Sequence, residues 1–351
     1  MKKIEMTPME RVLTTLSHNE PDRVPMFLLL TMHGANELGL SIKDYFSNAE
    51  NVAEGQIRMQ KKYKNDCFYT FFYAPIEVEA FGAEVIYRED GPPNSGNPFI
   101  EDFDEIINLE VPIVRDTKVL HKVLDCIRIL KDKSNGNIPI IGVAMSPFSL
   151  PVMQIGFEKY LELIYYRKDL LNHLMSVNEN FCTDWSNAQL EAGATAICYF
   201  DPVSSTNIIP KEIYLSTGFQ TAKRTLARIK GPTATHFASG NCLQLSDILP
   251  ETGTAVVGIS ANEDITQIKQ AYRNKLSILG NLNGIEMRHW TSDETALIVK
   301  NLIDKAAPGG GFILSDNHGE IPFQVKEDTL LTISETVNNY GTYPIIHNSV
   351  T

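Results

Sequence analysis

No CxxC pair occurs among the five cysteines (Cys67, Cys126, Cys182, Cys198 and Cys242), which are odd in number and widely spaced. Their pattern predicts buried, reduced thiols rather than a disulfide framework. No uninterrupted apolar stretch approaches the ~18 residues of a membrane span. The opening MKKIEMTPMERVL lacks the apolar core of a secretory signal, so a cytoplasmic location is the expectation. No GxGxxG follows any candidate strand, which removes the dinucleotide fingerprint. Positive charge is in deficit: 31 Lys and Arg stand against 43 Asp and Glu, a net charge of −12. That balance opposes non-specific contact with a phosphate backbone, and neither a nucleic-acid nor a membrane partner is expected. It leaves room for a local basic pocket. No low-complexity run or compositional break divides the chain.

What is present is enough apolar sequence for one large core without disulfides or metal: 351 residues, 43% hydrophobic and 21% charged. Short apolar runs alternate with longer helical patterns. The candidate strands are Val24–Leu30, Asp66–Phe72, Ile138–Ala144, Thr195–Phe200, Thr233–Phe237, Ala255–Ile259, Ser277–Gly280 and Phe312–Leu314. Several are continuously apolar, as strands buried on both faces must be. Thr7, Pro8 and Glu10 make a capping-box start for a first helix. Helices are also expected over Asn48–Lys64, Phe157–Gln189 with a break near Arg167–Lys168, Pro210–Lys230 and Ser292–Lys305. Repeated strand–helix order implies parallel pairing. About eight such strands predict an α/β fold: a single (β/α)8 barrel domain over residues 1–351 with an N-terminal helical extension. Asp90–Pro98 reads as a turn-rich loop near one end of the barrel.

In a barrel enzyme the chemistry lies beyond the C-terminal ends of the strands. That rule selects Asp201, His236, Asn241 and Cys242, Asn262 and Glu263, Asn281 and Asn283, and Ser315, Asp316, Asn317 and His318. Each has a plainer reading. Asp201 precedes Pro202 and can cap a turn, His236 can be a satisfied core imidazole, and Asn281, Asn283, Asp316 and Asn317 suit turns. His33 and Gly34 follow the first strand and also point to the mouth. His18, His121 and His173 fall on helices or their edges, where surface positions are expected. Gly309–Gly311 precedes the last strand, the wrong end for a substrate, and is expected to make a sharp turn.

The segment ERVLTTLSHNEPDRVP (Glu10 to Pro25) resembles the start of uroporphyrinogen decarboxylases and their relatives. MSPFSL (Met145–Leu150), the strand ending in Asp201-Pro202, the His236 strand, ILGNLNG (Ile278–Gly284) and GGGFILSDNHGEIP (Gly309–Pro322) match in order. The resemblance covers essentially the whole chain and implies the barrel fold. The superfamily decarboxylases carry a basic RQAGR-like segment after the first strand and an aspartate in an FSD-like segment after the second. Here those positions read LLLTMHGANELG and CFYTFFYAP, without the arginines or the aspartate. Only His318-Gly319 matches the decarboxylase form.

The other chemistry of the superfamily is methyl transfer from a corrinoid. Thiol-methylating members hold zinc with an HxC pair and a Cys-Gly, and the metal supplies thiolate from a thiol of pKa ~8.5. This chain reads His236-Phe237-Ala238 and His318-Gly319 at those positions. Without thiol-activating zinc, an amine acceptor fits better, because its lone pair needs no metal. The resemblance therefore implies transfer from methylcobalamin, or a corrinoid on a partner protein, to N5 of tetrahydrofolate. Asp316, His236 and His318 are the candidates for proton handling. Asp201, Asn241, Asn281, Asn283, Asn317 and Glu263 are the candidates for binding the pterin. Three alternatives stay open: a zinc-dependent thiol methyltransferase with metal on His236 and His318, a decarboxylase, and a non-catalytic corrinoid-binding partner.

Overall fold

The computed structural model describes residues 5–345. Its strands are β1 (Met26–Phe27), β2 (Phe68–Tyr69), β3 (Val85–Ile86), β4 (Asn94–Ser95), β5 (Ile140–Met145), β6 (Ala196–Phe200), β7 (Thr233–His236), β8 (Val256–Gly258), β9 (Ser277–Leu282) and β10 (Phe312–Asp316). Eight of them form one parallel sheet in the order β1-β10-β9-β8-β7-β6-β5-β2, while β3 and β4 make a separate antiparallel ribbon. All eight expected apolar runs therefore become strands of one sheet. Among the described residues no helix is long and apolar enough to cross a membrane.

The two end strands are shorter than their apolar runs because side chains replace the ladder between them. The Asp66 amide donates to Met26 O (2.9 Å), and Asp66 Oδ2 accepts the Met26 amide (2.8 Å). Asn65 accepts the Leu28 amide (2.8 Å) and donates to its carbonyl (3.0 Å). Gln56 bridges Leu30 O (2.7 Å) and the Tyr69 amide (3.0 Å). These bonds satisfy buried backbone groups that would otherwise be orphaned, and they close the sheet into a barrel.

The same Asp66 anchors the floor. Arg11 and Arg23 donate to it at 2.6 and 2.7 Å, and Arg11 also pairs with Asp22 at 2.7 Å. Arg11 belongs to the helix Pro8–Leu16, which begins in the expected Thr7–Glu10 capping box. Met9, Val12, Leu13 and Leu16 of that helix close the lower barrel over Phe27, Leu279 and Ile313, around an apolar void of about 100 Å³. With the N-terminal end plugged, the barrel interior is reached from the other end.

Two expectations need correction. Pro210–Lys230 is not one helix but Lys211–Ser216 and Gly218–Leu226, broken at Thr217 (φ −130°, ψ −88°). The chain shifts there because Gly218 packs hard: a Cβ on it would lie 2.6 Å from Ser204 Oγ. Asp90–Pro98 is not all loop, since Asn94–Ser95 is β4. Gln324 donates to Asp90 O (2.5 Å), which ties the ribbon to the segment after β10 and so to the C-terminal end. The break at Arg167 and the turn at Gly309–Gly311, with three consecutive positive φ values (79°, 70° and 66°), are as expected.

Asp66→Asn leaves Arg11 and Arg23 facing a neutral amide in a buried site, so it should cost about 3–5 kcal/mol. Arg58→Ala, which breaks an exposed pair with Glu54, should change stability by less than about 0.5 kcal/mol. Urea denaturation of the two variants beside the parent checks both values; equal, small losses would show that Asp66 does not hold the seam.

Candidate active site

Parallel register places Phe200 of β6 beside His236 of β7, and their rings stack at 5.3 Å and 21°. His236 Nδ1 accepts the Ala238 amide (3.0 Å), a reach made possible by the left-handed turn at Ala238 (φ 53°). That bond puts the proton of the neutral ring on Nε2. Nε2 is buried and has no hydrogen-bond partner. Burial, with a smaller contribution from His318, pushes the imidazole pKa down to about 4. Gly258 of β8 makes room for the ring: a Cβ there would lie 2.4 Å from His236 Cδ2.

Phe200 continues into an aromatic wall. Phe71 stacks on it at 6.5 Å and Tyr69 tilts against Phe71 at 5.9 Å. The Tyr69 hydroxyl donates to Gly319 O (2.8 Å). Gly319 has φ 86°, and a Cβ on it would fall 2.3 Å from the Phe200 ring. The His318-Gly319 pair is therefore a packing requirement of the wall as well as part of the mouth.

At the end of β10, Asp316 Oδ2 accepts the amides of His318 (2.8 Å) and Gly319 (2.9 Å), while its buried Oδ1 has no partner. Burial raises its pKa to about 7 against the pull of those amides. Glu320 takes a hydrogen bond from Thr31. Burial brings its carboxyl to about 7 as well, with Asp316 adding to the rise. His318 Nδ1 pairs with Asn317 Oδ1 (2.5 Å), and burial lowers its pKa.

Just after β6, Asp201 Oδ1 accepts the hydroxyls of Ser146 (2.5 Å) and Ser149 (2.8 Å), and the Ser204 hydroxyl lies beside the same carboxyl. Burial raises this carboxyl too, opposed by the serine hydroxyls around it. Asn281 donates to Ser260 O (2.9 Å) and leaves Oδ1 buried and unpartnered. Asn241 Oδ1 is likewise without a partner. No arginine or lysine hydrogen-bonds to any of these groups among the described residues, so only hydroxyls and amides oppose the rise that burial causes.

Three sequence candidates turn out to be committed to backbone. Glu263 accepts the amides of Cys242 (2.9 Å) and Leu243 (2.8 Å) with its two oxygens, and so holds the loop after β7. Asn283 Oδ1 accepts the amides of Ile285 and Glu286, a turn cap. Asn317 Oδ1 receives Gly284 N (3.3 Å) besides His318. His33 is buried edge-on to Phe323 at 6.0 Å. Two acids were missed, Glu320 and Glu77. Glu77 accepts the Met145 amide (2.8 Å) and is raised by burial to about 8. Glu320 lies in the polar segment after the last strand and was within reach of the strand-end rule. Nothing in the spacing of Glu77, on the short helix Ile76–Ala80, marks it.

A zinc ion does not fit this donor set. Among the described residues no three His, Cys, Asp or Glu side chains converge. His236 Nδ1 is already bonded, and burial pushes the Cys242 thiol up.

Asp316 yields a stability test. Its ordinary pKa of 3.8 becomes about 7 in the fold, so between those values the folded chain holds a proton that the unfolded chain releases. Stability contributed by this group falls as pH rises through that window. Asp316→Asn should therefore gain on the parent across it, reaching on the order of a few kcal/mol above pH ~7. Denaturation of both proteins at pH 5 and pH 8 checks this; a pH-independent difference would refute the raised pKa.

Comparison with known proteins fits this geometry into a family. The uroporphyrinogen decarboxylase (URO-D) family matches residues 7–340. The uroporphyrinogen decarboxylase of Nitrosospira multiformis is 26% identical over 274 residues, 74% of this chain and 73% of that one. The Nitrosomonas europaea decarboxylase is 27% identical over 268 residues, 73% of each. Among solved structures, a methyltransferase from Methanosarcina mazei superposes with a TM-score of 0.82 at 18% identity, covering 96% of this chain and 99% of that one. A B12-independent methionine synthase from Shewanella gives a TM-score of 0.54 at 12% identity over 85% and 89%. The structural likenesses show a shared barrel, and the match over residues 7–340 shows that this chain belongs to the uroporphyrinogen decarboxylase family.

Proposed function

We propose that this enzyme transfers a methyl group from a methylated corrinoid, carried by a partner protein, to N5 of tetrahydrofolate. The observation that carries the reading is a set of orphaned buried atoms at the strand ends, where no arginine or lysine bonds to the neighbouring acids among the described residues. Asn281 Oδ1, Asn241 Oδ1 and Asp316 Oδ1 are acceptors lacking donors, and His236 Nε2 is a donor lacking an acceptor. Buried polar groups left unpaired are costly, so such a set is kept for a ligand that completes it. A reduced pterin presents ring and exocyclic N–H donors in a row beside carbonyl and nitrogen acceptors. Its flat ring suits a wall built from Phe200, Phe71 and Tyr69.

The decarboxylase reading has the names of the sequence relatives in its favour. It asks the mouth to hold a polycarboxylated tetrapyrrole, whose charges need arginine or lysine partners. Here the acids Asp201, Asp316 and Glu320 face no such cation, and a polyanion would be repelled. The likeness to the M. mazei methyltransferase fits the methyl-transfer reading.

In that reaction the N5 lone pair would attack the methyl carbon in line, the carbon–cobalt bond would break with its electron pair going to cobalt, and the N5 proton would pass to a carboxylate. Asp316, titrating near neutrality, is the acceptor of choice, and Glu320 and His318 offer the exit toward solvent. The neutral His236 ring donates from Nε2 and orients the pterin. Most of the rate would come from holding two large reactants in line in a site shielded from water.

The test mixes the protein with methylcobalamin and tetrahydrofolate, with coenzyme M and uroporphyrinogen as parallel substrates. Loss of methylcobalamin absorbance matched by methyltetrahydrofolate is the expected result. The rate should rise with pH through about 7 as Asp316 ionises, and Asp316→Asn should lower it by about 10²–10⁴-fold. Carbon dioxide release from uroporphyrinogen, or transfer to the thiol alone with stoichiometric zinc, would overturn the proposal.

A further inference from the structure

At the plugged end of the barrel, a second cavity of about 660 Å³ opens between the helix Ile265–Tyr272 and the Gly309–Gly311 turn. Lys269, Arg273 and Lys305 line it together with His18. In a chain of net charge −12 this is a concentration of the minority sign. None of the three cations forms an ion pair among the described residues.

The two acids that feel these cations are themselves bonded to backbone amides at the edge of the cavity. Glu20 accepts the Gly309 amide (2.9 Å), and Asp264 caps the helix Ile265–Tyr272 through the amides of Thr266 (2.8 Å) and Gln267 (3.0 Å). Lys269 is half-buried, and its ammonium bonds only to the Gly310 carbonyl. Burial, then repulsion from Arg273, brings its pKa down to about 8, with Glu20 opposing. His18 sits against the turn, where a Cβ on Gly311 would lie 2.7 Å from its Nδ1, and burial and Lys269 hold its pKa down. The cluster is only partly relieved: Lys269 feels Glu20 and Lys305 feels Asp264, but among the described residues no carboxylate pairs directly with any of the three cations. A dianion of tetrahedral shape would relieve all of them at once, bidentate on the guanidinium and as a point-charge partner of the two ammoniums.

We propose that this cavity binds a phosphate monoester, its dianion seated between Lys269, Arg273 and Lys305. The site stands apart from the methyl-transfer reading, because it lies at the roots of β9 and β10 rather than at their ends. Leu276 and Ile278 flank it on one side and Gly311 on the other. The organic part of the ligand would extend along the open remainder of the cavity.

Inorganic phosphate is the probe, titrated into the whole protein by calorimetry at ionic strength held constant with chloride. Saturable binding at one site is expected, with a rise in Tm that chloride does not reproduce. The His18 imidazole resonances should titrate at higher pH when phosphate is bound. Lys269→Met, which keeps the aliphatic packing, and Arg273→Ala should each weaken binding by about tenfold or more. Lys300→Ala, whose ammonium lies over the Tyr340 ring, should leave it unchanged. No saturable heat and no His18 shift, or binding indifferent to both Lys269→Met and Arg273→Ala, would overturn the proposal.

Discussion

Closure of the barrel runs through one carboxylate. Asp66 ends the helical connection after β1, and three things converge on it: the amide of Met26, the guanidinium of Arg11 and that of Arg23. Asp66 is buried, so its charge is tolerable only because two cations and an amide face it. Remove its carboxylate and the Met26 amide and two guanidiniums lose their common partner; Asn65 and Gln56 still bridge the seam, and the plug helix Pro8–Leu16 keeps only the Arg11–Asp22 pair. The floor and the seam thus share one interaction, and they decide which end of the barrel is open.

That arrangement also separates charge along the barrel axis. Arg11, Arg23, Lys269, Arg273 and Lys305 belong to the plugged end. At the open end Asp201, Asp316 and Glu320 are raised by burial, and nothing nearby pulls them back except hydroxyls and amides. An arginine beside Asp316 would restore its ordinary acidity and leave a fixed anion. Its absence keeps a carboxyl that exchanges protons near neutrality, which is what a reaction that strips a proton from an amine requires. The same absence takes away the partners a polycarboxylate needs. A single physical feature, the missing cation, therefore argues for one chemistry of the superfamily and against the other.

The barrel was legible in the sequence because strands buried on both faces are mostly apolar, and eight short runs of that kind, several of them continuously apolar, alternate with helical patterns. The Thr7–Glu10 cap and the break at Arg167 were legible for equally local reasons. What the sequence could not show was which polar residues at the strand ends point at a ligand and which hold a turn. Glu263, Asn283 and Asn317 look the same on paper as Asp201, Asn241 and Asn281. They differ in whether a backbone amide happens to lie within reach of the side chain, and only folding decides that. Glu77 was invisible because its partner, the Met145 amide, is brought to it by the β2–β5 pairing across some seventy residues.

The distribution of unpaired atoms follows from that distinction. A turn residue with satisfied oxygens stabilises the loop and can do nothing more. A side chain with one polar atom bonded and another bare, as in Asn281, whose Nδ2 donates to Ser260 O while Oδ1 has no partner, is held in place by the first atom and available through the second. Asp316 repeats the pattern with its amide-bound Oδ2 and bare Oδ1, and His236 repeats it with opposite polarity. Three residues from three different strands, β7, β9 and β10, thus each fix one atom and free another. The fold bears the desolvation of those bare atoms in the ligand-free state. A ligand that pairs with them recovers that energy as binding, and only a ligand with donors and acceptors in the matching order can recover all of it.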